Sequence, residues 1–321
     1  MKLLVLGGTK FLGRHAVDAA LAGGHDVTIF TRGQTNPELF PDVEHLTGNR
    51  DGDLDALRGR SWDGVVDTSG YVPRIVRESA ELLRDDVERY VFVSSISVYD
   101  DFSRPVTEAT PVAELAEPAT EEIMENYGAL KAACERVVEE AYGERSARVR
   151  AGLIVGPYDP TDRFTYWPRR IALGGSVLGP GDPDAPVQFV DARDLAVWLV
   201  RLALTGPGGT FNATGPARPL TFAELLERTR DIIGFDADIV WVEDERVLDA
   251  GVQPWMELPL WLPGPEHAGM ARADISRAVD AGLTFRRVEE TVADTLAWDR
   301  TVDGERPTLT HAKEQEILAT R

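Results

Sequence analysis

A chain of 321 residues that is 43% hydrophobic and 27% charged has enough apolar content to build a large core, which excludes wholesale disorder. The formal net charge of −20 repels phosphate backbones and anionic lipid, so no nucleic acid and no membrane is expected as a partner. The single cysteine, Cys134, excludes an internal disulfide and a multi-cysteine metal cluster; the histidines at 15, 25, 45, 267 and 311 lack ligand spacing, so no metal site is expected.

The apolar run Leu3–Leu6 is too short for a signal peptide or a membrane span, and a cytoplasmic protein is expected. Residues 2–6 read as a strand, followed by a glycine turn and a helix over Phe11–Ala22. Further strands are expected at His25–Phe30, Val43–Leu46 and Gly64–Asp67, with a short helix at Leu54–Leu57. A helix over Arg74–Leu83 leads into the strand Tyr90–Ser94, and a longer one over Thr120–Tyr142 leads into Arg148–Val155. Beyond Gly156 the pattern breaks up, with helices expected at Asp194–Leu204, Phe222–Ile233 and Glu289–Trp298 and strands at Val187–Val190 and Ile239–Val242. Strands alternating with helices require crossovers that cover both faces, so the fold class is α/β: a doubly wound parallel (Rossmann) sheet with a smaller C-terminal α/β substrate lobe. The expected division is a dinucleotide-binding domain over 1–156, which later segments such as 187–215 rejoin, a substrate lobe over 157–300, and a loosely held polar tail over 301–321.

The turn Gly7-Gly8-Thr9-Lys10-Phe11-Leu12-Gly13 passes from the first strand into the first helix, where free N–H groups and the helix dipole attract a pyrophosphate. The middle glycine of the usual three is Lys10. After the second strand stands Arg32 instead of the carboxylate that would accept from ribose hydroxyls, so NADP is favoured over NAD through a 2′-phosphate contact. Asn49, Arg50 and Asp51 follow the third strand and Thr68, Ser69 and Gly70 the fourth, all on the expected cofactor edge. Each of these also suits an ordinary turn or helix cap.

Ser95 lies at the end of the fifth strand, and Tyr127 and Lys131, four residues apart, share one face of the following helix. Hydride transfer at a carbinol needs a proton acceptor, a cation stabilising it and a hydroxyl holding the substrate oxygen. An ammonium about 5 Å from a phenol at an effective dielectric near 20 offers about 3 kcal/mol, roughly 2 pK units, so Lys131 is expected to bring Tyr127 towards neutral pH. Lys131 is also a candidate for the nicotinamide ribose.

With these motifs, and with G-L-I-V-G-P-Y-D-P and V-Q-F-V-D-A-R-D-L-A, the chain resembles the extended short-chain dehydrogenase/reductases of the NAD-dependent epimerase/dehydratase family along nearly its whole length. The resemblance implies Ser95 as catalytic assistant, Tyr127 as base, Lys131 as its partner, and a homodimer joined through the tyrosine helix. Leu153 replaces the asparagine that many sugar-nucleotide members carry before G-P, which separates the chain from a standard UDP-sugar site. Arg163, Trp167, Gln188 and Arg193 are the candidates for holding a small-molecule substrate, while Trp255 and Trp261 suit lobe packing. The activity implied is NAD(P)-dependent oxidoreduction, epimerisation or dehydration. The alternative is a non-catalytic or RNA-associated member, because the glycine turn and Thr31-Arg32-Gly33 also resemble plastid RNA-binding relatives.

Overall fold

The computed structural model describes residues 1–234, 236–304 and 307–319. The first half alternates β1 (Lys2–Leu6), α1 (Phe11–Ala22), β2 (Asp26–Thr31), β3 (Glu44–Thr47), β4 (Trp62–Asp67), α2 (Pro73–Leu83), β5 (Val87–Ser95), α3 (Ile123–Tyr142) and β6 (Ser146–Ala151). After it come β7 (Leu153–Val155), α4 (Tyr166–Ala172), β8 (Gly175–Pro180), β9 (Pro186–Val187), β10 (Phe189–Asp191), α5 (Ala192–Leu204) and β11 (Gly209–Ala213). The chain continues through β12 (Leu220–Thr221), α6 (Phe222–Ile233), β13 (Ala237–Val242), α7 (Asp244–Asp249), α8 (Ser276–Asp280), α9 (Val288–Asp299) and α10 (His311–Ala319).

Seven parallel strands form the central sheet in the order β11-β6-β5-β4-β1-β2-β3. Leu3, Leu4, Val5 and Leu6 of β1 are all fully buried, as a central strand covered on both faces demands. Ala16 and Val17 of α1 pack with Trp198 and Leu199 of α5 on one face, while Val76 of α2 packs with Val137 and Val138 of α3 on the other. A third core around Phe164, Trp167, Phe222 and Leu225 is built from residues beyond β6. The chain changes direction between β1 and β4, so a crevice opens beyond their C-terminal ends.

Several elements differ from the sequence pattern. The single strand expected over 148–155 breaks at Gly152, where any Cβ would lie 2.3 Å from Thr214 Oγ1; β7 leaves the main sheet there and pairs with β10. The long helix begins at Ile123, three residues after the expected start. Helix α4 and strands β8 and β11 fall in glycine- and proline-rich sequence without a readable period. No helix among the described residues is long and apolar enough to cross a membrane.

The polar tail docks as α10. Glu314, fully buried, accepts hydrogen bonds from Arg170 Nε and from the Leu178 backbone N–H, and Ile317 is buried beside it. Removing one member of a buried ion pair strands the other's charge. Glu314→Ala is therefore expected to cost about 3 kcal/mol of stability, read as a lower guanidinium midpoint; an unchanged midpoint contradicts this account of the tail.

Candidate active site

Gly7 and Gly8 hold the turn under α1 with φ of 113° and 104°, a region that side chains rarely adopt. A Cβ on Gly13 would sit 2.5 Å from the Gly8 nitrogen, so glycine there lets the first helical turn close onto the loop. A cavity of about 800 Å³ runs from this turn past Arg32, Asn49 and Thr68 to Ser95 and Tyr127. Its length along the strand ends and the α1 N-terminus at its head suit a dinucleotide with its pyrophosphate on the glycine turn. Lys10, at the N-cap of α1, is exposed and lines the cavity, as does the exposed Arg32.

Arg50 differs from its expected role. Its guanidinium forms a bidentate pair with the fully buried Asp67 at 2.7 and 2.8 Å and also donates to Ser69 Oγ and Ser79 Oγ. Tyr90 adds a hydrogen bond to the same carboxylate at 2.8 Å. Arg50 thus braces the end of β4 while it also lines the cavity. Thr68 and Ser69 both donate to Leu6 O across the switch point, Asn49 Oδ1 accepts from the Asp51 N–H, and Asp51 pairs with Arg74 at 2.7 Å.

Tyr127 reaches the cavity through a close backbone contact. A Cβ on Gly128 would lie 2.0 Å from Ser97 O, so only glycine lets α3 approach the turn after β5 this closely. Asn126, just before, has non-helical φ and ψ of −119° and 21°, so regular helix begins at the tyrosine itself. Ser95 caps the short turn at 96–98 by accepting from Ser97 N–H at 3.1 Å and stands within hydrogen-bonding reach of the Tyr127 hydroxyl.

Tyr127 and Lys131 line the same cavity. Burial raises the Tyr127 phenol above the ordinary tyrosine range, while the Ser95 hydrogen bond and the charge of Arg163 work the other way. Lys131 is 3% exposed, and its ammonium donates to Gly70 O at 2.7 Å and Val93 O at 2.6 Å. Phe92 and Tyr71 lie 4.3 and 5.1 Å from it, in cation–π range. Two backbone carbonyls hold the charge that was expected to serve the phenol, while the side chain still lines the cofactor cavity.

A second cavity of about 580 Å³ shares Phe11, Ser95, Tyr127, Gly152, Ile154 and Thr161 with the first. Arg163 and Gln188 line it, Gln188 holding the Ala273 backbone through both amide atoms at 3.1 and 2.9 Å. Trp167 does not: it is fully buried, donates to Pro259 O at 2.9 Å and packs edge-on to Phe222, so it is core. Arg193 is also elsewhere, pairing with Asp191 and Asp294 to tie α5 to α9. Trp255 and Trp261, read as packing residues, line the cavity, Trp261 with its Nε1 on Asp244 Oδ1 at 2.7 Å.

Asp159 had no signal beyond a turn-like sequence. It is 3% exposed in the cavity wall; Oδ1 accepts from Thr161 N and Oγ1, Oδ2 has no hydrogen-bond partner among the described residues, and burial raises its pKa.

A doubly wound parallel sheet thus carries a glycine turn under its first helix and Ser95, Tyr127 and Lys131 beyond its strand ends, an arrangement similar to that of the extended short-chain dehydrogenase/reductases. Residues 73–213, from α2 to β11, match the model of the NAD dependent epimerase/dehydratase family. The chloroplast stem-loop binding protein of 41 kDa b of Arabidopsis thaliana is 26% identical over 214 residues, spanning 61% of this chain and only 53% of that protein. Among solved structures, the UDP-glucuronic acid 4-epimerase of Bacillus cereus in complex with NAD is 16% identical with a TM-score of 0.67, covering 94% of this chain and 99% of its own. The UDP-glucose 4-epimerase of Thermotoga maritima with UDP-glucose is 18% identical with a TM-score of 0.66 at the same coverage. What these two structures share with the chain is the fold.

Burial holds the Lys131 ammonium down to about 8, against 10.5 for an exposed lysine. Between those values the unfolded chain binds a proton that the folded chain has released, so stability rises with pH there. Unfolding free energy is expected to grow by about 2 kcal/mol from pH 8 to 9.5 in wild type relative to Lys131→Met. Parallel pH curves for the two proteins, in urea titrations, contradict the burial argument.

Proposed function

We propose that the chain is an NAD(P)-dependent enzyme of the epimerase/dehydratase kind that acts on a hydroxyl-bearing carbon of a small molecule, a sugar or sugar nucleotide. The observation that carries this reading is Tyr127, a wall of both cavities with Ser95 beside its hydroxyl. The bound nicotinamide supplies the hydride acceptor or donor. Tyr127 takes the proton of the substrate hydroxyl on oxidation and returns it on reduction, and Ser95 donates to the same oxygen. Lys131, with two protons on carbonyls, has a third for a ribose hydroxyl. Gln188 and Arg163 face the remainder of the substrate.

Arg32, exposed on the cavity rim and in no ion pair among the described residues, supports NADP over NAD. The names of solved relatives that carry NAD pull the other way. Arg32→Gln is expected to weaken NADPH binding about tenfold while NADH changes less than about twofold, in fluorescence titrations; equal losses for both refute the 2′-phosphate contact.

Tyr127→Phe is expected to lower kcat by roughly 10² to 10⁴ with cofactor affinity nearly intact, assayed first with UDP-glucose and UDP-glucuronic acid. Purified protein that binds neither NADH nor NADPH overturns the enzyme reading.

The match to the stem-loop binding protein favours a second reading, an RNA-associated chain. The net charge of −20 weighs against it. A steep salt dependence in RNA filter binding, without nicotinamide binding, selects it. The homodimer implied by the resemblance would be joined through α3, the helix that carries Tyr127, where exposed Glu140 pairs with Arg77 of α2.

A further inference from the structure

The 580 Å³ cavity carries an acceptor that the fold leaves unused. Asp159 lies in its wall, 3% exposed. Thr161 N–H and Oγ1 both donate to Oδ1, at 2.8 and 2.7 Å, which fixes the carboxylate, while Oδ2 is buried with no hydrogen-bond partner among the described residues. The loop around it is anchored. Asp159 N–H donates to Gly156 O at 3.3 Å, and Asp162, left-handed at φ 60°, holds Arg169 and accepts from Thr308 Oγ1 at 3.0 Å. A desolvated carboxylate oxygen without a donor destabilises the empty fold, and a bound donor offsets that cost.

The rest of the wall decides which donor fits. Asp182 and Asp244 also line the cavity, each with one oxygen engaged within the chain, by the Asp184 N–H and by Trp261 Nε1. Arg163 and Arg272 are the cations of the same wall, and Arg163 offsets part of the Asp159 charge without donating to Oδ2. Three carboxylates against two guanidiniums leave the wall acidic, in a chain whose net charge is −20; both fields favour a cation over an anion. Trp255 and Trp261 stand in the same wall. Trp255 is held left-handed at φ 64°, and its N–H donates to Trp261 O at 3.1 Å, so one tight loop sets both indoles. Indoles beside carboxylates attract an ammonium through the ring quadrupole as well as through the charge, whereas a hydroxyl gains only a hydrogen bond.

We propose that this cavity is a cation subsite in which Asp159 Oδ2 receives an ammonium group of the substrate, with Trp255 and Trp261 as its aromatic wall. The inference deepens the proposed function by naming the charge its small molecule carries. Asp159 is then a specificity-determining residue, distinct from the acid–base pair of Ser95 and Tyr127.

The test uses the full chain and four ring compounds that differ in one substituent: cyclohexylammonium, cyclohexanol, cyclohexanecarboxylate and cyclohexyl phosphate, titrated at neutral pH with binding read by ligand-observed NMR. The ammonium is expected to bind about fivefold more tightly than the alcohol, and more tightly than either anion. In Asp159→Asn that preference over the alcohol is expected to fall to within about twofold; a guanidinium midpoint near wild type shows that the variant folds, and Asp159→Ser takes its place otherwise. An ammonium that binds no better than the alcohol, a preference unchanged in the variant, or no binding of any of the four overturns the proposal. Tightest binding of the phosphate also overturns it, and marks Arg163 and Arg272 as an anion site instead. None of these titrations needs nicotinamide or turnover, so the absence of nicotinamide binding removes the enzyme reading while the cation subsite is still decided on its own.

Discussion

The arrangement depends on a buried ammonium. Lys131 projects from α3 under the sheet edge and joins the backbone after β4, at Gly70, to the end of β5, at Val93. A charge placed there is costly to desolvate, and the two carbonyls with the faces of Phe92 and Tyr71 offset that cost. The result fixes the height of α3 against the strand ends and with it the position of Tyr127, one turn earlier. Gly128 is the complementary constraint, since it permits the approach that Lys131 secures.

A second buried pair does the same work on the neighbouring strand. Asp67 ends β4 with no exposure, and Arg50, Tyr90 and the Ser69 N–H satisfy its carboxylate. A pair of this kind has little to offer net stability, but losing either partner would leave a charge stranded beneath the cofactor cavity. It gives the crevice a rigid floor of fixed dipoles.

Much of this was legible in the sequence. The glycine turn, the strand end at Ser95 and the Tyr127–Lys131 spacing are local patterns whose geometry follows from one element each. Partners far apart in sequence were not legible: nothing near Arg50 announces Asp67, and nothing near Arg170 announces Glu314, so the bracing role of the first arginine went unseen and a docked helix passed for a tail. Trp167 illustrates the limit for aromatic residues, since residue type is the same whether the ring faces a ligand or Phe222. The direction of the Lys131 side chain was equally hidden, because helical spacing fixes the face a residue shares but not which acceptor its terminal atom finds.

The two cavities have six residues in common, with Phe11, Ser95 and Tyr127 among them. Compounds occupying adjoining compartments with a common partition cannot associate independently: each alters the surface met by the other. Their affinities are linked by one coupling free energy, equal whichever arrives first. A partition built from a phenol and a serine hydroxyl presents hydrogen-bonding groups to both compartments, so polar contacts as well as shape carry that linkage.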